Sequence, residues 1–289
     1  MHVPVMLEES LDYLAIRPDG TYLDATAGLG GHTRAIAARL TTGVVIANDR
    51  DAESLSTARE NSAELIHRIR FQHGRFSELR ATLADAGVEQ VDGLLADLGV
   101  SRFQLTEPER GFSLMASGPL DMRMDRSQDA PASEIVNTWA EKALADLIYQ
   151  FGEERRSRRI SRAIVRARPI HTTERLARVI EEAVPRTGRL HPATQTFMAL
   201  RMAVNEEPEE LDSLLAIAPD IVKSGGRIVV ITFMSLEDRK VKQSFQALVR
   251  SGRASMLTRH VVRPSDDEVM RNPPSRSAKL RAVEMSREM

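Results

Sequence analysis

The chain has 289 residues, 42% hydrophobic and 28% charged, with a formal net charge of -1 at pH 7, which allows one large domain with an insertion, or two domains, and argues against a uniformly basic protein. It contains no cysteine, so disulfides, thiolate metal sites and thiol nucleophiles are excluded together. No apolar run approaches the roughly 18 residues of a membrane span and no signal-peptide pattern opens the chain, so a cytoplasmic protein without membrane contact is expected.

Met6, Leu7, Leu11 and Leu14 fall on one face of a short helix over residues 6 to 15, a lid or brace before the first strand. Residues 22 to 32, YLDATAGLGGH, then read as strand, glycine turn and helix: Tyr22, Leu23 and Ala25 are apolar, Asp24 sits at the strand end, and Gly28, Gly30 and Gly31 precede the helical HTRAIAARL. Glycines there let a ligand approach the backbone, and the free N–H groups of the helix start point at it. Dinucleotides and S-adenosylmethionine both use such turns. The dinucleotide fingerprint needs a third glycine where this chain has Thr33, whereas the adenosylmethionine version asks for an acid just before the glycines, which Asp24 supplies. An ordinary strand-helix turn remains the alternative.

The second strand, GVVIAND, ends in Asp49, about twenty residues past the glycines, where a carboxylate can accept both hydroxyls of an adenosine ribose. Asp51 reads as the N-cap of the helix that follows, with Ser54 three positions on. IRFQHG is a third strand, SELRATLADAG its helix, and VDGLLADLGVS a fourth strand carrying Asp97 and Ser101. This alternation predicts a parallel, doubly wound α/β sheet. Asp24, Asp49, the segment His73 to Phe76, and Asp97 all fall at carboxyl ends of strands, where such sheets bind ligands.

From about Leu105 the pattern becomes loop and helix, through SEIVNTWAEKALADLIYQF, EERRSRRISRAIVRAR, TERLARVIEEAV and ATQTFMALRMAVN. Three segments are expected: residues 1–105 as the first part of the sheet domain, 106–208 as an inserted all-helical domain, and 209–289 as the second part. The last contains the helix LDSLLAIAPDIV, a turn at Gly225 and Gly226, the strand RIVVITF, the helix LEDRKVKQSFQALVRSG, and two further strands in ASMLTRHVV and AKLRAVEMS.

Between Arg155 and Arg201 twelve arginines stand against three glutamates. Arg155, Arg159, Arg162 and Arg166 are spaced to share one helical face, with Ile160 and Ile164 on another. The face is either solvated or, since the positive charge of a near-neutral chain is concentrated there, a nucleic-acid contact. Arg271, Arg276, Lys279 and Arg281 form a second basic run. Trp139 is expected in a core, while Phe103 and Phe112, in a loop beside the presumed site, are the better candidates to touch a base.

With these motifs in place the chain resembles the bacterial small-subunit (16S) ribosomal RNA cytosine-N(4) methyltransferases, the RsmH or MraW family. The resemblance rests on HVPVMLEE, DATAGLGGHT, NDRD, GRFSEL, DLGVSRFQL, ERGFS, GPLDMRMD, FGEER, HPATQTFMALRMAVN, ITFMSLEDR and NPPSRSAKLRA. It implies a Rossmann-like class I S-adenosylmethionine methyltransferase fold and N(4)-methylation of a cytidine in the decoding region of 16S rRNA, in the assembled 30S subunit. It leaves the oligomeric state open, a homodimer included. The absence of cysteine is consistent with an amino target, since methylation at a cytosine ring carbon normally runs through a cysteine adduct.

The resemblance also implies an S-adenosylmethionine site formed by Gly30, Gly31, His32, Asp49, Phe76, Asp97 and Gln104, with no metal. Read from the residues alone, His32 could be a cap, Phe76 core and Gln104 a loop residue. Asp97 is a candidate acceptor for the amino N–H or purely a cofactor ligand. Ser101 and Phe103, with Arg155, Arg159, Arg162 and Arg166, are the RNA candidates. Three departures stand out: Met234 where the family has histidine, which removes a catalytic histidine there; Arg102-Phe103 where it has Ser-Pro; and NPPS at Asn272 to Ser275 where it has NPRS. Asp121 to Asp125, DMRMD, is either a salt-bridged loop cementing the insertion to the sheet or a segment near the substrate.

Overall fold

Short runs of aliphatic residues build a seven-stranded sheet in the order β3-β2-β1-β4-β5-β7-β6. The structure, a computed structural model, describes residues 4–127, 130–186, 188 and 191–287, with Arg102 described without its side chain. The first half comprises α1 (Leu7–Leu14), β1 (Thr21–Asp24), α2 (Gly31–Ala38), β2 (Val44–Asp49), α3 (Ala52–Asn61), β3 (Ile69–His73), α4 (Leu79–Asp85) and β4 (Val91–Asp97). Six helices follow: α5 (Arg102–Thr106), α6 (Ala132–Thr138), α7 (Glu141–Gly152), α8 (Ser157–Ala167), α9 (Thr173–Ala183) and α10 (Thr194–Val204). The chain closes with α11 (Glu207–Ile221), β5 (Val222–Thr232), α12 (Ser235–Arg250), β6 (Ala254–Met256), α13 (Asp266–Arg271) and β7 (Lys279–Met285). It divides into two compact units, Met1–Gly99 with Pro208–Met289, and Val100–Glu207.

Strands β1 to β5 pair in parallel, and the order reverses between β1 and β4. The fully parallel sheet expected from the alternation fails at one edge, where β7 runs antiparallel to both β5 and β6. The crossover through α12 returns β6 in the direction of β5 and leaves a gap one strand wide. β7 then fills that gap from the opposite end, a connection that needs no crossover helix.

Alternate residues along each strand point to opposite faces, and both faces are buried. Leu23, Ile46, Leu94 and Ile228 pack with Leu79 and Leu83 of α4, Leu214 of α11 and Phe245 of α12. Their neighbours Tyr22, Val45, Leu95 and Val229 pack with Leu11 and Leu14 of α1 and Ile36 of α2. The α1 brace is therefore part of the core. No helix among the described residues is long and apolar enough to cross a membrane.

The helical unit has its own core, with Ile135, Leu144, Ile148, Ile160, Ile164, Ile180 and Leu200 at its centre. Trp139 departs from expectation: the chain turns extended between α6 and α7, and the indole is 39% exposed. Phe112, proposed above to touch a base, is buried in this core. The segment DMRMD is a knot within the unit. The Asp121 carboxylate accepts from Arg123 Nε at 2.6 Å and its Nη2 at 3.2 Å, and Arg126 lies 3.4 Å away. Buried Arg110 donates to the carbonyls of Arg123 and Met124. Asn205, fully buried after α10, accepts from the Met124 N–H at 2.7 Å and donates to the Met122 carbonyl at 2.8 Å. These bonds hold the loop to its own helices, which is not the cement between insertion and sheet envisaged from the sequence.

Removing the Asn205 amide strands a buried donor and a buried acceptor, each a loss of about 1–3 kcal/mol. Asn205→Ala should therefore destabilise the helical unit by about 2–4 kcal/mol. Urea melts should show it, and amide exchange should be faster over residues 121 to 125; unchanged protection there would remove Asn205 as the fastener.

Candidate active site

Parallel strands bring their carboxyl ends to one edge, and β1, β2 and β4 each end in an aspartate. Gly28 and Gly30 have φ of +51° and +87°, a region that costs a side-chain-bearing residue energy and glycine little. In this turn the Gly28 N–H donates to Asp49 Oδ2 at 2.7 Å. The other Asp49 oxygen accepts from the Asp51 N–H at 2.8 Å. Both bonds use one lone pair per oxygen, so the half-buried carboxylate keeps acceptor capacity. Asp51 caps α3 as expected, accepting from the N–H groups of Glu53 and Ser54.

Asp24 is fully buried and accepts from the Thr33 hydroxyl at 2.6 Å and the Thr26 N–H at 3.1 Å. Thr33, noticed in the sequence only because it is not glycine, has this positive role. Thr26 reaches the third strand end, its hydroxyl accepting from the Asp97 N–H at 2.7 Å. Asn48, unremarked in the sequence, is fully buried, and its amide donates to the carbonyls of Ala25 and Gly74, joining the segments after β1 and β3. A lone polar residue in the apolar run VVIAND was the available signal.

Asp97 differs from the other two. Its side chain is 22% exposed, yet Oδ1 is buried without a hydrogen-bond partner among the described residues. Its other oxygen lies 3.7 Å from His32 Nδ1. Burial, then the like charges of Asp24, Glu237 and Glu268, push its pKa well above the usual carboxylate range. Burial likewise raises Asp24 and Asp49 to about 6, against hydrogen bonds that pull them down.

His32, second residue of α2, is buried and packs its Nε2 3.1 Å from the Val5 carbonyl. A Cβ at Gly31 would lie 2.5 Å from Pro4 Cγ, so the segment Pro4 to Met6 passes directly over the turn. Phe76 follows β3, half-buried against the core. Met234 precedes α12, its N–H donating to Glu237 Oε2 at 3.0 Å. Gly30, Gly31, His32, Asp49, Phe76 and Asp97 thus all belong to segments at the carboxyl ends of the strands.

The remaining candidates belong to the helical unit. Ser101 and Gln104 form a reciprocal cap on α5: the Ser101 hydroxyl accepts from the Gln104 N–H at 3.2 Å and Gln104 Oε1 from the Ser101 N–H at 2.9 Å. Phe103 is on this helix and not in a loop, with its ring 5.9 Å from the Arg110 guanidinium. The Arg102 side chain lies outside the described residues. Arg159, Arg162 and Arg166 are exposed on α8, and so is Arg158, which the sequence reading passed over. Arg155 is exposed but precedes the helix, contrary to the expected four-residue stripe. Buried Glu154 accepts from the backbone N–H and guanidinium of Arg156, and this holds the chain in a turn before α8 begins. Arg162 is 3.5 Å from Glu141. The second basic run is partly neutralised, because Asp238 accepts from Arg281 at 2.7 Å and lies 4.0 Å from Lys279.

A carboxyl that binds its proton more tightly in the folded chain adds most to stability where it is protonated in both states. For Asp24 that contribution is full below the ordinary value of 3.8 and is lost as pH rises to about 6. The stability difference between wild type and Asp24→Asn, from denaturant melts of the ligand-free protein, should therefore shrink from about pH 4 to about pH 6 and then level. A flat difference across that window would mean that Asp24 ionises alike folded and unfolded.

The sequence profile of the MraW methylase family matches residues 1–286. A protein named Ribosomal RNA small subunit methyltransferase H from Solibacter usitatus (strain Ellin6076) is 65% identical over 285 residues, covering 99% of this chain and 100% of the relative. One of the same name from Acidobacterium capsulatum is 49% identical over 293 residues, covering 98% of each. The sheet, reversing between β1 and β4 and carrying one antiparallel strand, is the Rossmann-like class I methyltransferase arrangement. The chain belongs to the MraW methylase family.

Proposed function

We propose that this protein transfers a methyl group from S-adenosylmethionine to the N(4) amino group of a cytidine in the decoding region of 16S rRNA, acting on the assembled 30S subunit. The observation that carries the reading is the buried, unpartnered Oδ1 of Asp97 at the strand end beside the point where the sheet order reverses, in a chain whose relatives bear the names given above. The cytosine target follows from the sequence resemblance.

The residues present fit the donor. The glycine turn admits close backbone approach at Gly30 and Gly31, the remaining lone pairs of Asp49 suit two ribose hydroxyls, and half-buried Phe76 suits the adenine. His32, Asp97 and Gln104 complete the proposed set. Three acid groups whose charged forms are disfavoured by burial also suit a cationic ligand. Bound there, S-adenosylmethionine would supply a methyl on a sulfonium, an excellent leaving group that requires neither metal nor covalent intermediate.

The chain's own task is to make a poor nucleophile act. The cytosine amino lone pair is conjugated into the ring, so the nitrogen must pyramidalise as it attacks. Asp97 assists by accepting the N–H hydrogen bond as that happens and holding the nitrogen in line. The helical unit, the insert expected at 106–208, binds the RNA. Exposed Arg158, Arg159 and Arg166 meet phosphates, while exposed Trp139 and Tyr149 offer rings for unpaired bases. Such contacts fix position more than they read sequence.

Purified protein incubated with labelled S-adenosylmethionine and small subunits from cells lacking it should label one cytidine at N(4), located by mass mapping of the RNA. Binding of subunits without transfer of label would mark a binding factor instead. Asp49→Ala should weaken donor binding by about 1–3 kcal/mol, roughly tenfold to a hundredfold by calorimetry; an unchanged affinity would take Asp49 out of the site. Arg159→Glu with Arg162→Glu should weaken RNA binding and flatten its salt dependence. A slope equal to wild type would return α8 to an ordinary solvated face.

A further inference from the structure

The segment Pro4 to Met6 is fastened at three points around the glycine turn. Pro4 lies over Gly31, the Val5 carbonyl is 3.1 Å from His32 Nε2, and the Met6 N–H donates to Glu268 Oε1 at 2.7 Å. A carbonyl only accepts, so the Val5 contact requires the hydrogen of a neutral imidazole to sit on Nε2. Nδ1 then carries a lone pair, and it lies 3.7 Å from Asp97 Oδ2. Two lone pairs at that separation repel, and 3.7 Å is too long for a hydrogen bond. One added proton, on either group, converts the repulsion into attraction.

We propose that His32 is the positioning residue for Asp97: strapped by Val5 into the Nε2–H tautomer, it shares a single proton with the Asp97 carboxylate, and this pair receives the proton released by the substrate amino group. The idea rests on the methyl-transfer reading only for its last clause. In that reaction the amino nitrogen forms one N–C bond with its lone pair, and the donor's C–S bonding pair stays on sulfur. One N–H bond then breaks with its electrons left on nitrogen, and the proton passes to Asp97 and onward between Oδ2 and Nδ1, leaving to solvent on turnover.

Every charged neighbour favours a proton on the pair. Asp24 comes from β1, Glu237 from α12 and Glu268 from α13, all acidic, and His32 from α2 is the only basic group among those described as acting on Asp97. The Val5 bond leaves Nδ1 as the ring nitrogen that can answer this field. A histidine held the other way round would present a fixed N–H to Asp97 and could not take a proton from it.

The test uses the full-length protein with ¹⁵N-labelled histidine and no substrate. Long-range proton–nitrogen spectra should show neutral His32 in the Nε2–H tautomer. Its titration should lie about one pH unit or more higher in wild type than in Asp97→Asn, since strongly interacting groups titrate together. The Nδ1–H tautomer, or equal titration in the two proteins, overturns the proposal. Should Asp97→Asn fail to fold, wild type alone decides: the Asp97 carboxyl carbon and the His32 ring should follow common inflections, and independent curves overturn the pairing. Calorimetry with S-adenosylhomocysteine tests the donor site separately. Coupled titration in a protein that does not bind it supports the pair while removing the methyl-transfer reading, and binding with uncoupled titration does the reverse.

Discussion

Three neighbouring chain segments of one sheet edge end in aspartate, and the protein must hold those carboxylates where water only partly reaches them. Like charges at low local dielectric repel strongly, and burial alone disfavours each ionised form. The surroundings answer this with donors. Asp24 receives a hydroxyl and a backbone N–H, and Asp49 receives two backbone N–H groups. Gly28 can aim its N–H at Asp49 only because the turn adopts positive φ, so the glycines serve the acid as much as they serve any ligand. The neighbouring threonines and Asn48 follow from the same need, linking the segments after β1, β2, β3 and β4 through buried hydrogen bonds.

Asp97 is the exception that this arrangement makes conspicuous. Its backbone is held by Thr26 while its side chain keeps one oxygen unpaired. A buried acceptor without a donor is unfavourable in the ligand-free molecule. It is what a site that must accept a hydrogen bond from outside would retain. Its like-charged neighbours have partners of their own: Glu237 accepts from the N–H groups of Phe233 and Met234, and Glu268 from Met6. The edge is therefore ordered throughout, and its vacancy for a donor is confined to one atom.

What the sequence disclosed was local. Strand ends, the cap at Asp51 and the glycine turn are set by residues within a few positions, and they stand where the pattern put them. What it concealed depends on partners far along the chain. DMRMD gave no sign that Asn205, some eighty residues on, would fasten it. The basic run near the C-terminus looked free because Asp238, on α12, is forty residues away from Arg281. The direction of β7 follows from where its connection emerges, which alternation of apolar residues does not encode. Arg155 shows the smaller-scale version: helical spacing extends the stripe to it, but a buried carboxylate one residue away breaks the helix there.

The acid edge also bears on why this fold would keep groups it must partly protonate. In the ligand-free protein the raised proton affinities of Asp24 and Asp49 are a stability loss at neutral pH, because both must ionise against their surroundings. A ligand bearing positive charge reverses that sign, since each carboxylate then gains an opposite charge in the same low dielectric that penalised it alone. On the proposed reading, the donor carries a sulfonium charge that its product has lost. The same field that strains the empty site therefore holds the donor more firmly than what remains after transfer.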